Sequence, residues 1–399
     1  MRRRDACRRS PLTRGACLAT AALPLIAACA APSSPTRASR RTTATSSAAA
    51  ASNPKAPEAL GSVYAQAAAG GLSPRVAGQR SLVYVPNHSS GTISVIDPHS
   101  LRVIDTFPAG RGPQHVVPSW DLSTLWVNDD EGGDELTPID PRTGRRRGPN
   151  VPVADPYNMY FTPDGASAIV VAEAQQRLDL RDPRTMRLQA SIPVACPGIN
   201  HADFSADLSY ALFSCEFSSQ LVQFDLRNRR VLGYLKLPGE PAAMAQDVRL
   251  APAGDVFYVA DMARGGLHVI DARGGLREVG FLPTGPETHG ILPSRDGRLL
   301  YVSNRGGPSA AGSVSVIDPA ARRVIATWSI PGGGTPDMGG VSADGRQLWL
   351  SGRRSDVVYV LDTSTGRLLA KVPVGREPHG LAVWPQPGRF SLGHTGLMR

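Results

Sequence analysis

Aromatic residues make up only 6% of this 399-residue chain, and charged residues only 19%. Proteins that track a nucleic-acid strand need basic grooves lined with aromatic faces, and no basic run here is interleaved with aromatics. The formal charge of +9 argues the other way until it is placed along the chain. Residues 1–28 hold six Arg and one Asp, and residues 29–80 hold five Arg, one Lys and one Glu, so residues 81–399 carry a net −1. No overall positive field is left there to attract phosphates, and a nucleic-acid partner is not expected. Short catalytic spacings are missing as well: there is no HExxH, CxxC, hydrolase elbow, phosphate-cradling glycine loop or CxxCH haem attachment. Covalent-nucleophile hydrolases, nucleotide enzymes and c-type cytochromes therefore find no support. An enzyme assembled from residues on separate repeats needs no such spacing.

Long hydrophobic runs are also lacking. The apolar stretch ACLATAALPLIAA, preceded by Arg2, Arg3, Arg4, Arg8, Arg9 and Arg14, is too short for a membrane span and has the layout of a cleaved export signal over residues 1–28. Ile26-Ala27-Ala28-Cys29 resembles a bacterial lipobox, which makes Cys29 the expected lipidation site of an envelope lipoprotein. Cleavage nearby by an ordinary signal peptidase, giving a secreted protein, is the alternative. Arg8 to Thr13, RRSPLT, loosely resembles a twin-arginine motif without its usual Phe. Residues 29–80 are rich in Ala, Ser, Thr and Pro and cannot bury enough apolar surface to offset their ordering entropy, so they are expected to form a disordered tether. A flexible chain of about fifty residues spans roughly 35–40 Å. One short helix is expected over 57–69, stopped by Gly70 and Gly71.

What the chain has in quantity is turn formers, 41 Gly and 35 Pro, and beyond residue 80 it is periodic. An apolar run ending in Asp recurs at Asp97, Asp140, Asp182, Asp225, Asp271, Asp318 and Asp362, at intervals of 43, 42, 43, 46, 47 and 44 residues. That period suits one four-stranded sheet per unit. Within a unit, an apolar run after a Pro leads to an Asp-Gly turn such as Pro163 to Gly165, then come a second strand, the Asp-terminated third and a fourth. An Asp at the third turn can accept from nearby backbone amides, so the repeated Asp residues are read as structural. Residues 81–110 supply three strands without an inner one, and Pro378 to Pro385 supply an inner strand without the other three. Joined, they complete a blade and close the ring with backbone hydrogen bonds. The expected fold is all-β: a seven-bladed propeller of four-stranded antiparallel blades over 81–388, followed by a tail at 389–399.

LVYVPNHSSGTISVIDP, LLYVSNRGGPSAAGSVSVIDP and PHGLAVWPQPG resemble YVTN-type repeats, and residues 81–388 are similar to exported YncE-like β-propellers. The resemblance implies that inner-strand entries and the loops after the second strands share one face around a central channel. It specifies the fold more than the function, since such propellers resemble binding proteins, lactonases and cofactor-bearing halves of reductases.

Aligned on the turns, the inner-strand entries contribute His115, Asn158, His201, Asp247, His289, Asp337 and His379 to that rim. The ends of the second strands add Asp129, Glu173, Glu216 and Asp261, with His88 beside the first. Imidazoles and carboxylates together can hold a divalent ion, with His201, His289 and Glu216 as the expected ligands, or serve as a general base toward an ester or lactone. The plainer and preferred reading is that these residues line a water-filled channel. Arg305 and Arg353 face the acidic arc and could orient an anionic ligand. Of five Cys, Cys196 and Cys215 belong to the repeats, flanking the inner and second strands of the fourth blade. A disulfide is preferred for them over a soft-metal thiol pair. The leading expectation is a monomeric envelope module that binds a small molecule or protein on its top face. The alternative is a metal-assisted or lactonase-like hydrolase or a redox carrier. No cofactor is required by the sequence, while a divalent metal fits it.

Overall fold

The computed structural model describes residues 62–273, 275–307 and 310–399. The export signal, Cys29 and most of the tether lie outside the described residues. No helix among the described residues is long and apolar enough to cross a membrane.

The repeats form seven antiparallel sheets arranged as blades. Blade 4 shows the plan: Ile199–Phe204 innermost, then Tyr210–Cys215, Gln220–Asp225 and Arg230–Lys236 at the rim. Burial follows that order. The inner strand is buried at every position, whereas the outer strand alternates exposed and half-buried residues, as a sheet edge facing water should. The core lies between blades. Val256, Tyr258 and Leu267 of blade 5 pack on Ile291, Leu300 and Val302 of blade 6, alternate residues of each strand facing the neighbouring sheet. Blade 2 alone has a divided outer strand, Arg145–Arg146 and Val151–Pro152.

The repeated Asp residues do what their position suggests. Asp182 Oδ1 accepts from the amides of Arg184 and Thr185, and Asp362 Oδ1 from those of Ser364 and Thr365, at 2.8–3.1 Å. At the opposite end of a blade, the Asp-Gly turn needs its glycine twice over. Gly165 has φ +66°, and a Cβ there would stand 2.5 Å from the Trp120 ring.

Closure is by a shared blade. Leu82, Val83 and Tyr84 pair with Trp384, Val383 and Ala382, and the His379 amide donates to the Pro86 carbonyl at 3.1 Å. Two segments flanking the ring differ from expectation. The tether was expected to run to residue 80, yet residues 62–80 pack on the propeller: Val76 is fully buried, and Trp384 Nε1 donates to Gln79 Oε1 at 2.8 Å. The expected helix reduces, within the described residues, to a 3₁₀ turn at Ala65–Ala67. Its neighbours are bonded elsewhere, Val63 N to the Pro252 carbonyl and Tyr64 Oη to Asp203 and to the Leu250 carbonyl. Residues 389–399 are not a loose tail. They cross the bottom of the channel from blade 3, where Phe161 N donates to Leu392 O, to blade 7, where Thr395 Oγ1 donates to Gly339 O.

Candidate functional site

Each inner strand of blades 4 to 7 carries a register irregularity at its entry, at Ile199/Ala202, Ala245/Val248, Thr288/Ile291 and Pro336/Gly339, and blade 2 has one at Pro113/His115. Such a bulge puts two residues opposite one and re-aims their side chains. In blades 4 and 6 a serine on the second strand meets it, Ser214 Oγ accepting from His201 N at 3.1 Å and Ser303 Oγ from Gly290 N at 2.8 Å. This local device brings rim residues of several blades into one channel.

His115, His201, His289 and His379 do converge. His115 lies 5.2 Å from His201 and 4.8 Å from His379 between ring centroids, and His289 lies 6.0 Å from His201 and 5.6 Å from His379. A fifth ring, His394, enters from below and stands 5.0 Å from His201. The sequence reading missed it because it sits outside the repeat. A short Gly393-His394 corner after the final strand was its only signal.

Asp337 organises the cluster. Its Oδ2 is 2.7 Å from His379 Nδ1, its Oδ1 is 2.9 Å from His289 Nδ1, and Arg305 reaches it at 2.8 Å. Burial alone would raise this carboxyl, but Arg305, then His289 and His379, outweigh it and hold it well below the usual range. Burial acts on the imidazoles in the opposite sense, lowering His115 to about 3 and His289 to about 4, with His201, His379 and His394 also well below their ordinary value. The rings are therefore neutral at pH 7, and the charge beside His289 and His379 is that of Asp337 and the Arg305 guanidinium paired with it.

Below the rings is a buried ionic layer. Asp247 pairs with Arg249 at 3.3 Å, and Asp203 with Arg399 at 2.9 Å. Asn158 Oδ1 accepts from Met159 N, which fixes the amide so that its Nδ2 donates to His394 Nδ1 at 3.0 Å.

Above the rings, Tyr157 leans on His115 and His201, with centroids 5.4 and 5.7 Å away. Its phenol is raised well above 10 by burial, then by Glu173 and Glu216, against the opposing influence of Arg353 and Arg305. Asn200 Nδ2 donates to Glu216 at 2.9 Å, and Arg353 donates to Gln114 Oε1 at 3.2 Å. Two acids and two guanidiniums thus act on Tyr157 in opposite senses. Among the described residues, no ion pair within 4 Å joins these two groups.

Not every rim candidate reaches the channel. Asp129 accepts from Thr137 at 2.6 Å and Asp261 faces His268 Nε2 at 3.1 Å, both inside their own blades. These two are the last residues of second strands and face the third strand, whereas Glu173 and Glu216 stand one residue beyond the strand end and fall onto the top face. His88 lies apart on a top loop, its Nε2 3.0 Å from Glu131. The expected trio of His201, His289 and Glu216 is not the tightest grouping. One ring nitrogen from each of His115, His201 and His379 lies within 4.8 Å of the other two. Cys196 and Cys215 form a disulfide with Cα atoms 5.9 Å apart.

A closed ring of seven sheets with a polar, histidine-filled channel defines a β-propeller whose chemistry sits on its axis. Residues 131–387, more than half of the chain, match the family model of YNCE-like beta-propellers, and the chain belongs to that family. None of the curated proteins matches it. Among solved structures it is similar to hydrazine synthase of Kuenenia stuttgartiensis, with 18% identity, a TM-score of 0.60, and 73% of this chain and 97% of that one covered. It is also similar to a putative 6-phosphogluconolactonase from Bacteroides fragilis, with 16% identity, a TM-score of 0.62, and coverage of 77% and 99%. Dihydro-heme d1 dehydrogenase NirN resembles it at 16% identity and a TM-score of 0.57, with 78% of each chain covered. At these identities the likeness is one of fold.

Proposed function

We propose that the protein is an exported binding module, held at the cell envelope through Cys29, whose top face takes a small zwitterionic ligand of the amino-acid type. The observation that carries this reading is that groups of opposite charge, Arg353 and Glu216, both act on Tyr157 and each is held by a neutral amide. Arg353 has its guanidinium on a neutral amide rather than on a carboxylate and can receive a carboxylate, while Glu216, held by Asn200, can receive an ammonium group. Neighbours as different as a lactonase-like protein, a haem d1 enzyme and hydrazine synthase give the fold no single chemistry, so the reading rests on these side chains.

The test is calorimetric titration of chelator-treated protein with a panel of amino acids, simple dicarboxylates and simple amines. Amino acids are expected to bind, and at about a hundredfold excess over Kd to stabilise the fold by about 2.7 kcal/mol. Arg353→Gln is expected to weaken binding at least tenfold. A panel in which no amino acid binds, or binding untouched by R353Q, overturns the reading.

A further inference from the structure

The imidazole cluster beneath the mouth has an order that ligand binding at the top face does not use. His115 Nδ1 donates to the Tyr157 carbonyl at 3.0 Å, His379 Nδ1 to Asp337 Oδ2 at 2.7 Å, and His201 Nδ1 to Asn200 Oδ1. Because Asn200 Nδ2 is committed to Glu216, its oxygen is the end that faces His201. These acceptors assign the proton of each ring to Nδ1 and leave the lone pair on Nε2. His115 Nε2 and His201 Nε2 belong to fully buried residues and have no hydrogen-bond partner. A buried acceptor without a donor carries the whole desolvation penalty, and here two of them are aimed into one channel.

That is how metal-binding histidines are built. The ring nitrogen away from the metal donates to a carboxylate, a carbonyl or a similar acceptor, which fixes the tautomer and raises ligand basicity. All three residues of the tightest trio have such a partner, and each partner is of a different kind. The geometry points to a mononuclear site for a late first-row divalent cation of the Zn²⁺ or Cu²⁺ class, ligated by Nε2 of His115, His201 and His379, with one coordination position left open. Three neutral imidazoles suit these ions, whereas Ca²⁺ and Mg²⁺ require oxygen donors. In a tetrahedral ion with bonds of about 2.0–2.1 Å, ligand nitrogens stand about 3.3 Å apart. One ring nitrogen of each residue already lies within 4.8 Å of the other two, so ring rotation is what brings the three Nε2 atoms to that spacing. Glu216 is no ligand, because Asn200 holds it in the layer above. His394 is not a ligand either, since its Nδ1 accepts from Asn158 and its Nε2 carries the proton. Its Nε2 lies 4.0 Å from Asp247 Oδ1.

The experiment uses untagged full-length protein stripped with a chelator. Titration with Zn²⁺ is expected to give one ion per chain, and the EPR spectrum of the Cu²⁺ form to show superhyperfine splitting from three nitrogens. The double variant H115Q/H201Q is expected to lose at least a hundredfold in Zn²⁺ affinity. Asn200→Ala, which removes only an outer partner, should lose about ten- to a hundredfold. His268→Gln, a buried histidine outside the channel, should lose nothing. Absence of stoichiometric Zn²⁺ binding by the unmutated protein, or retention of binding by H115Q/H201Q, overturns the proposal. Should the double variant fail to fold, the Cu²⁺ spectrum of the unmutated protein decides, and a spectrum without three nitrogen ligands is equally fatal.

Discussion

At the scale of single residues, the site is a contest between burial and charge, and the outcome differs from one carboxylate to the next. Asp337 keeps its charge because a guanidinium and two ring N–H groups face it. Glu173 has no such partner. Burial first, then Glu216 and Asp130, push it from 4.5 up to about 8. Between those two values the folded protein holds a proton that the unfolded chain has released. Stability therefore falls as pH rises through this window. Asp129 and Asp130, each pushed up to about 7 with burial as the first cause, act in the same sense over its lower part. Glu173→Gln removes the largest of these contributions. Urea midpoints measured from pH 6.5 to 8 should fall for the parent protein and fall less steeply for E173Q. Parallel slopes would show that Glu173 ionises freely in the fold.

At the scale of elements, the inner strand of blade 4 is the most heavily fixed part of the site, since it carries Asn200 and His201 and is entered through Cys196. The disulfide ties that entry to the end of the second strand, next to Glu216. Closing a 19-residue separation stabilises by about 3 kcal/mol in the chain-entropy model. A C196S/C215S protein should lose about that much in chemical denaturation, while its other blades keep their far-ultraviolet signal. A loss below about 1 kcal/mol would mean that the bulge and Ser214 hold the strand without it. The pairing was legible in the sequence because antiparallel neighbours bring these positions together. So were the blades, since one Asp marks each third turn, and so was the convergence of four histidines, which occupy two adjacent positions relative to the turns. Other features could not be read that way. Whether a strand-end acid faces its own blade or the channel depends on a single residue of strand length, which separates Asp129 and Asp261 from Glu173 and Glu216. Which three imidazoles meet depends on bulges, and a bulge leaves no mark in the repeat. His394 lies beyond the last repeat, where periodicity says nothing.

For the whole molecule, everything on the axis depends on closure. The inner strand of blade 1 comes from the far end of the chain, and it contributes His379 to the cluster as well as the pairs that join Leu82, Val83 and Tyr84 to Trp384, Val383 and Ala382. Removing residues 375–399 would expose the edge of Leu82–Asn87, a fully buried strand, and would uncover the bottom of the channel where Arg399 neutralises Asp203. An unpaired, apolar edge recruits strands from other chains, so the shortened protein should associate and melt earlier and less cooperatively than the parent. The same edge should accept its own missing strand from outside, because strand addition needs only backbone partners and pockets for alternate side chains. Co-expression of residues 1–374 with a separate 375–399 segment is therefore expected to give a monodisperse two-chain propeller with most of the parental melting temperature. A Val383→Asp segment should fail to rescue, since Val383 packs among Val83, Trp349 and Leu381 in the adjoining core. If residues 1–374 alone stay monomeric and melt like the parent, the two chain ends do not close the ring, and the axis loses the frame that positions its histidines.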